Sequence, residues 1–246
     1  MIDSFDSSPQ QFLVRPARHH DVEAVADILA LSFYTYLLSP APPLSPLSFP
    51  PSPTKWWFAT GQMLVQQTQE RIRRTLWRLM RWGIVLDLQH RLREDSPHHA
   101  WLVVVSAADP QRPLATLEIC LRSGVTYVGS GQSLWTEILG GFWLPRSQYP
   151  YVFNVAVHPQ FRRRGAARQL LQAAEQAVRG WGYGRIIMHV LDSNHGARHL
   201  YGEQGYQVVG VEGRLWSWLC QSPQKLVLQK TFSLPNGFSS TQPRTQ

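Results

Sequence analysis

Several things are scarce in this chain. Only two of its 246 residues are cysteine, Cys120 and Cys220. Two are too few for a disulfide scaffold and lack metal-ligand spacing. They suit a reducing, cytoplasmic compartment and read as small buried apolar side chains. No run approaches 18 consecutive apolar residues, which excludes a conventional transmembrane helix. Residues 1–11 carry Asp3 and Asp6 without an apolar core, which argues against a secretory leader. Charged residues make up 16% and hydrophobic residues 43%, a globular balance and not that of a disordered basic tail. No internal repeat is visible.

Acidic residues are also in deficit: 24 Lys+Arg stand against 16 Asp+Glu, a formal charge of +8. The excess is local. Residues 55–93 hold eight basic residues against Glu70 and Asp87, which is +6, and residues 162–168 hold four arginines and no acid, which is +4; everything else sums to −2. A polyanion-coating surface would spread its charge; here it sits in two clusters.

A short strand is expected over 12–15, then a helix in which Asp21 caps or joins the first turn and Val22, Val25, Ile28, Leu29 and Phe33 recur at helical spacing. Seven of the fourteen residues from Pro40 to Pro53 are proline, so this stretch is a loop or extended linker. Residues 55–93 are helix-friendly, with an interruption expected at Gly83 and Ile72, Leu76, Leu79 and Leu86 as the buried stripe. Strands follow over 101–105 and 114–121, joined by a turn over 109–113. Residues 123–149 have no period and read as an irregular excursion. A strand over 151–157 is ended by Pro159. Ala167, Leu170, Leu171, Ala174, Ala177, Val178 and Trp181 then mark one face of a helix. A strand over 185–191, a helix over 195–204 closed by Gly205 and strands over 207–211 and 225–232 complete the pattern. The order predicts one α/β domain over 1–246, a mixed sheet with helices on its faces. Its core is 12–232, with an insertion over 40–95 (the Pro-rich loop plus the basic helix) and a loose tail over 233–246.

The chemistry-bearing stretch runs from Tyr151 to Arg168. A strand passes through a turn straight into a helix, with small residues and arginines at the junction. A helix start offers unpaired N–H groups and the positive end of its dipole. Gly165, Ala166 and Ala167 let a ligand approach that backbone, and Arg163, Arg164 and Arg168 add charge. The result is an anion site suited to a pyrophosphate. It lacks the Gly-Lys-Ser/Thr of a P-loop and the dinucleotide glycine fingerprint.

Arg162-x-x-Gly165-x-Ala167 resembles the acyl-CoA signature of the GNAT superfamily of N-acetyltransferases. Asn154-Val-Ala-Val-His-Pro159 is similar to that family's fourth strand. Asp192-Ser-Asn194 with Ala197-x-x-x-Tyr201-x-x-x-Gly205-Tyr206 is similar to its closing motif, and Val14-Arg15-Pro16-Ala17 with Asp21 to its opening. The best coverage is 150–211, and the basic insertion looks most like the plastid and cyanobacterial branch. The resemblance implies a mostly antiparallel sheet and acetyl-CoA as acetyl donor, with no metal. It further implies that the backbone of Val155, Ala156 and Val157 pairs with the pantetheine arm as an added strand would. Arg162 to Arg168 would hold the pyrophosphate, with Asn194 on the pantetheine. Tyr201 would protonate the departing thiolate, a role open to a phenol with an ordinary pKa of about 10. For the base, His189 occupies the place of a glutamate in ribosomal-protein N-terminal acetyltransferases, and Glu118 is the fallback.

Plainer readings compete. Tyr201 and His189 also fit as core side chains, Glu118 as a satisfied carboxylate, and the 55–93 arginines as a solvated face. The expected activity is acetyl transfer to a primary amine, protein N-terminal or lysine, by direct attack in a ternary complex. The alternatives are a small-molecule amine acceptor, a silent acyl-CoA-binding module, or an RNA- or membrane-associated protein that uses the tryptophans and arginines of 55–93.

Overall fold

The computed structural model describes residues 12–37, 55–93, 96–124, 147–212 and 224–233. Among these residues seven strands form one sheet: β1 (Phe12–Pro16), β2 (His99–Ser106), β3 (Asp109–Gly124), β4 (Ser147–Val157), β5 (Arg185–Leu191), β6 (Gln207–Glu212) and β7 (Lys225–Thr231). Their spatial order is β1-β2-β3-β4-β5-β7-β6. All neighbours are antiparallel except β4 and β5, so the sheet is mixed and mostly antiparallel. The helices are α1 (Val22–Leu37), α2 (Lys55–Arg93), α3 (Ala166–Gly180) and α4 (His195–Glu203).

Alternation along the strands sends side chains to two cores. On one face α3 lays Leu170, Leu171, Ala174 and Val178 against Leu117, Ile119, Val152, Ile186 and Met188, with Tyr201 of α4 in the same cluster. On the other, Val22, Val25, Ile28 and Leu29 of α1 and Val85 and Leu88 of α2 cover Trp101, Val103 and Val105. The opening of the chain is tied down by Asp21, which is fully buried. It accepts two hydrogen bonds from the Arg15 guanidinium, at 2.6 and 2.9 Å, and one from the Arg18 N–H at 2.7 Å. It thus closes a short 3-10 turn (His19–Asp21) ahead of α1.

Three expectations are corrected. First, α2 runs unbroken through Gly83. A lone glycine costs a helix only about 1 kcal/mol, which the packing of Val85 and Leu88 just beyond it against α1 outweighs. Second, the stripe Ile72, Leu76, Leu79 and Leu86 faces outward; each is about half exposed, and Trp82 beside them is 62% exposed. The opposite face packs on α1, with Val85 and Leu88 buried and Arg81 ion-paired with Glu23 and Asp27 at its edge. Third, the reversal between β2 and β3 falls at Ala107–Ala108, and residues 109–113 already belong to β3. Pro110 and Pro113 lack the N–H that a regular ladder needs, and the register slips on either side of Val105.

Strand pairing also extends into the expected excursion, with Ser123 opposite Gln148 and Gly124 opposite Ser147. Residues 125–146, the Pro-rich stretch, the side chain of Phe33, Cys220 and the expected tail beyond Ser233 lie outside the described residues. No helix among the described residues is long and apolar enough to cross a membrane.

Candidate active site

The site begins with a broken strand pairing. β4 and β5 run parallel but pair only at Tyr151 with Ile187 and Val152 with Met188. Beyond Val152, β4 continues to follow β3. There Phe153 faces Glu118 and Ala156 faces Thr116, so Asn154 and Val155 together oppose the single residue Leu117. This is a β-bulge, and it puts Asn154 in the left-handed region at φ 52°. The bulge bends β4 away and leaves a gap between β4 and β5. The N–H of His158 donates to the Leu114 carbonyl of β3 at 2.9 Å. Peptide groups alternate along an extended strand, so Ala156 also addresses β3, whereas Val155 and Val157 turn their N–H groups into the gap. The carbonyl of Val157 already accepts from Arg162 Nε at 3.1 Å.

Next to the gap the chain enters α3. A 3-10 turn (Pro159–Phe161) leads to Arg163 at φ 62° and to Gly165, the N-cap, at φ 88°. Left-handed residues spaced in this way curve the backbone so that successive N–H groups converge on one point. The first amide closed back into the helix is Gln169, on the Gly165 carbonyl at 3.2 Å. The amides before it face outward, as helix starts require. The arginines are partly committed elsewhere. Arg168 pairs with Glu203 of α4 at 2.9 Å, Arg162 holds the Val157 carbonyl, and Arg164 lies 5.7 Å from the Phe161 ring centre. Arg163 is exposed. At Gly165 an added Cβ would meet nothing within 4 Å, so glycine is needed there for its conformation and not for space. Gly165→Ala is therefore expected to lower stability by about 1–2 kcal/mol in a urea titration, the cost of a left-handed non-glycine residue. An unchanged midpoint would show that the turn can relax.

The structure separates the three catalytic candidates. His189 projects from β5 to the α1/α2 side, where its Nδ1 is 2.8 Å from the Tyr151 hydroxyl. Its Nε2 is 3.4 Å from Glu212, which is paired with Lys225 at 2.7 Å. Burial pushes the His189 pKa below the ordinary imidazole value, against the opposing pull of Glu212, so the ring is neutral near pH 7. Glu118 is fully buried. It is engaged by Asn154 Nδ2 at 2.8 Å, by Arg91 of α2 at 3.2 Å and by His99 at 3.5 Å. Tyr201 lies on the other face of the sheet, its ring centre 6.1 Å from that of Tyr206. Burial pushes its hydroxyl up to about 12. Asn194 caps α4, its side-chain oxygen accepting from the Ala197 N–H at 3.1 Å, so only its NH2 group is left to donate to another acceptor.

Tyr151 is the partner of His189 that the sequence reading does not single out. No local signal marks it, because its contact with His189 spans 38 positions and depends on the β4–β5 register. The Arg122 guanidinium lies 4.3 Å over the Tyr151 ring, and the Phe153 ring is stacked with it at 6.0 Å. Beside them opens a cavity of about 330 Å³ lined by Arg91, Ser96, His99, Cys120, Arg122 and Phe153. Cys120, expected in the core, is a half-buried free thiol at this cavity. Its pKa is raised by burial. Among the described residues no group of three or more His, Cys, Asp or Glu could hold a metal ion.

Residues 69–206 match the sequence model of the Acetyltransferase (GNAT) family. The chain is 39% identical over 79 residues to GCN5-related N-acetyltransferase 4, chloroplastic, of Arabidopsis thaliana, covering 32% of this chain and 27% of that protein. It is 30% identical over 80 residues to uncharacterized N-acetyltransferase YycN of Bacillus subtilis, covering 30% of this chain and 51% of the relative. The chain thus spans about a quarter to a half of the length of these curated relatives. The crystal structure of Arabidopsis thaliana NAA60 in complex with a bisubstrate analogue superposes with a TM-score of 0.50 at 12% identity, covering 92% of this chain and 100% of that one. That likeness is one of fold.

Proposed function

The chain belongs to the GNAT acetyltransferase family, and on that premise we propose that it transfers acetyl from acetyl-CoA to a primary amine, the amine attacking directly in a ternary complex. The observation that carries the reading is the gap between β4 and β5 opening beside the left-handed entry to α3. One side of the gap offers strand N–H groups at Val155 and Val157, which suit the amides of a pantetheine arm. The converging amides from Arg163 to Arg168 suit a pyrophosphate. The donor set and its spacing therefore fit acetyl-CoA, which supplies an acyl group activated as a thioester.

The residues divide the proton work between the two faces of the sheet. His189, neutral and hydrogen-bonded to Tyr151, accepts the proton that the ammonium form of the acceptor must lose before it can attack, directly or through one water. The nitrogen then bonds to the carbonyl carbon, the carbon–sulfur bond breaks, and the second proton that the nitrogen sheds on becoming an amide ends on the sulfur, so that CoA leaves as its thiol. Tyr201, whose raised pKa keeps it protonated, donates a hydrogen bond to the departing thiolate. Because the two residues project from opposite faces, a substrate that meets both passes through the gap. No covalent acyl-enzyme is required.

The acceptor in this reading is a protein N-terminal or lysine amine, for which the open cavity beside Tyr151 leaves room. A small amine is the competing acceptor. Incubation with labelled acetyl-CoA and a panel of peptides and polyamines, read by mass spectrometry, decides between them. In the same assay Tyr201→Phe is expected to lower turnover about 10- to 100-fold while acetyl-CoA still binds. Unchanged turnover would remove Tyr201 from the reaction, and absence of acetyl-CoA binding by the wild-type chain would remove the reading as a whole.

A further inference from the structure

A fully buried carboxylate normally needs a reason, because its desolvation is repaid only by close partners. Glu118 divides its two oxygens among three elements. Oε1 accepts from Asn154 Nδ2 at 2.8 Å, and Oε2 accepts from Arg91 Nη1 at 3.2 Å, with His99 Nε2 at 3.5 Å. Asn154 is the left-handed residue of the β4 bulge, and that bulge is what ends the β4–β5 pairing at Val152. Arg91 stands at the end of the inserted helix α2. It is held by Asp87 at 2.7 Å and sits 5.0 Å over the ring of Phe153, the residue just before the bulge.

The inserted helix, β3 and the bulged strand therefore meet at one carboxylate. With both oxygens engaged, Glu118 is poorly placed to take a proton from an incoming amine. It is well placed to keep Asn154 where it is.

We propose that Glu118 is a positioning residue for acetyl-CoA binding: through Asn154 it holds the bulge that parts β4 from β5, with Arg91 of α2 as its counter-charge. The inference rests on the acetyltransferase reading above. Its consequence is that the basic insertion contributes to the catalytic domain by bracing the cofactor slot from behind. Truncating α2 at its last turn, which removes Arg91, would loosen the grip on acetyl-CoA.

The test uses the full-length chain carrying Glu118→Gln, Asn154→Gly or both, with acetyl-CoA affinity measured by calorimetry and steady-state kinetics measured across pH. Glycine accepts the positive φ at 154 and deletes only the amide, so Asn154→Gly carries the test alone if Glu118→Gln fails to fold. Each variant is expected to raise the Kd and KM for acetyl-CoA about tenfold, the worth of one hydrogen bond to a charged group. Most of the loss should sit in KM and not in kcat, and the acid limb of the pH profile should stay where it is in the wild type. The double variant should be no worse than the weaker single, because both remove the same link. An unchanged acetyl-CoA Kd in Asn154→Gly overturns the proposal. So does a collapse of kcat in Glu118→Gln with unchanged KM and a lost acid limb, which would make Glu118 the base. If the wild-type chain fails to bind acetyl-CoA, the underlying reading falls first and this one with it.

Discussion

His189→Gln is expected to lower kcat about 10²- to 10⁴-fold, the range over which a positioned base contributes, with little change in acetyl-CoA affinity. Glutamine preserves much of the shape and can still bond to the Tyr151 hydroxyl, now 2.8 Å from Nδ1, but it cannot accept a proton. The pH dependence makes the expectation specific. Burial holds the imidazole pKa below its ordinary value of 6.5. Activity governed by the neutral ring therefore rises with pH through that lowered value and is already on its plateau at pH 7. In the variant the residual rate should lose this acid limb. A limb that survives the substitution would belong to another group, and a kcat within a few-fold of wild type would take the base away from His189. Glu212 matters to the same measurement. Its proximity at 3.4 Å draws the imidazole pKa upward against burial, while Lys225 and Arg122 draw it down.

What could be read from the sequence depends on how far apart the interacting residues are along the chain. α3 was legible because Leu170, Leu171, Ala174 and Val178 recur at helical spacing and are all buried. β5 was legible because an apolar run ends at Asp192, and α4 because Gly205 takes a positive φ directly after it. The buried face of α2 was not. Ile72, Leu76, Leu79 and Leu86 form a cleaner apolar row than Val85 and Leu88, but the buried face is the one that meets α1, where Arg81 also pairs with Glu23 and Asp27. Periodicity reports that a helix has an apolar side; it does not report which side finds a partner.

The same limit divides the site. The left-handed entry to α3 is local, and the glycine and arginines that build it stand within seven positions of one another. The Tyr151–His189 pair and the Glu118–Asn154 link cross 38 and 36 positions. The first depends on the β4–β5 register at Tyr151 and Val152, and the second on the bulge at Asn154 and Val155. Glu118 enters from the sequence only as the fallback base, with a satisfied carboxylate as the plainer reading. Its partners, on β4, α2 and β2, are long-range and out of reach of any local pattern.

Asp21→Ala is expected to have the largest effect on stability, about 3 kcal/mol or more, seen as a fall in Tm of roughly 6–12 °C for a chain of this size. The carboxylate is fully buried, and its removal strands two donors at once. Arg15, whose side chain is only 15% exposed, loses a two-pronged partner, and the Arg18 N–H loses the acceptor that closes the turn into α1. The effect should spread, because Arg15 also donates to the Pro110 carbonyl at 3.3 and 3.2 Å, so the same guanidinium ties β1 to the start of β3. Acid should reproduce the substitution. Burial on its own would raise the Asp21 pKa, but the hydrogen bonds from Arg15 and Arg18 and the charge of Arg15 outweigh it and hold the folded value below the ordinary 3.8. A depressed carboxylate pKa adds stability that is complete above the unfolded value and is lost as pH falls through the folded one. The wild-type chain should therefore lose stability progressively below about pH 4. Asp21→Asn, with its acceptor oxygen retained and its charge removed, should start lower and show a shallower acid slope. Equal slopes in the two proteins would mean that the acid sensitivity comes from other carboxylates, and a Tm shift below about 2 °C in Asp21→Ala would mean that Arg15 and Arg18 find new partners.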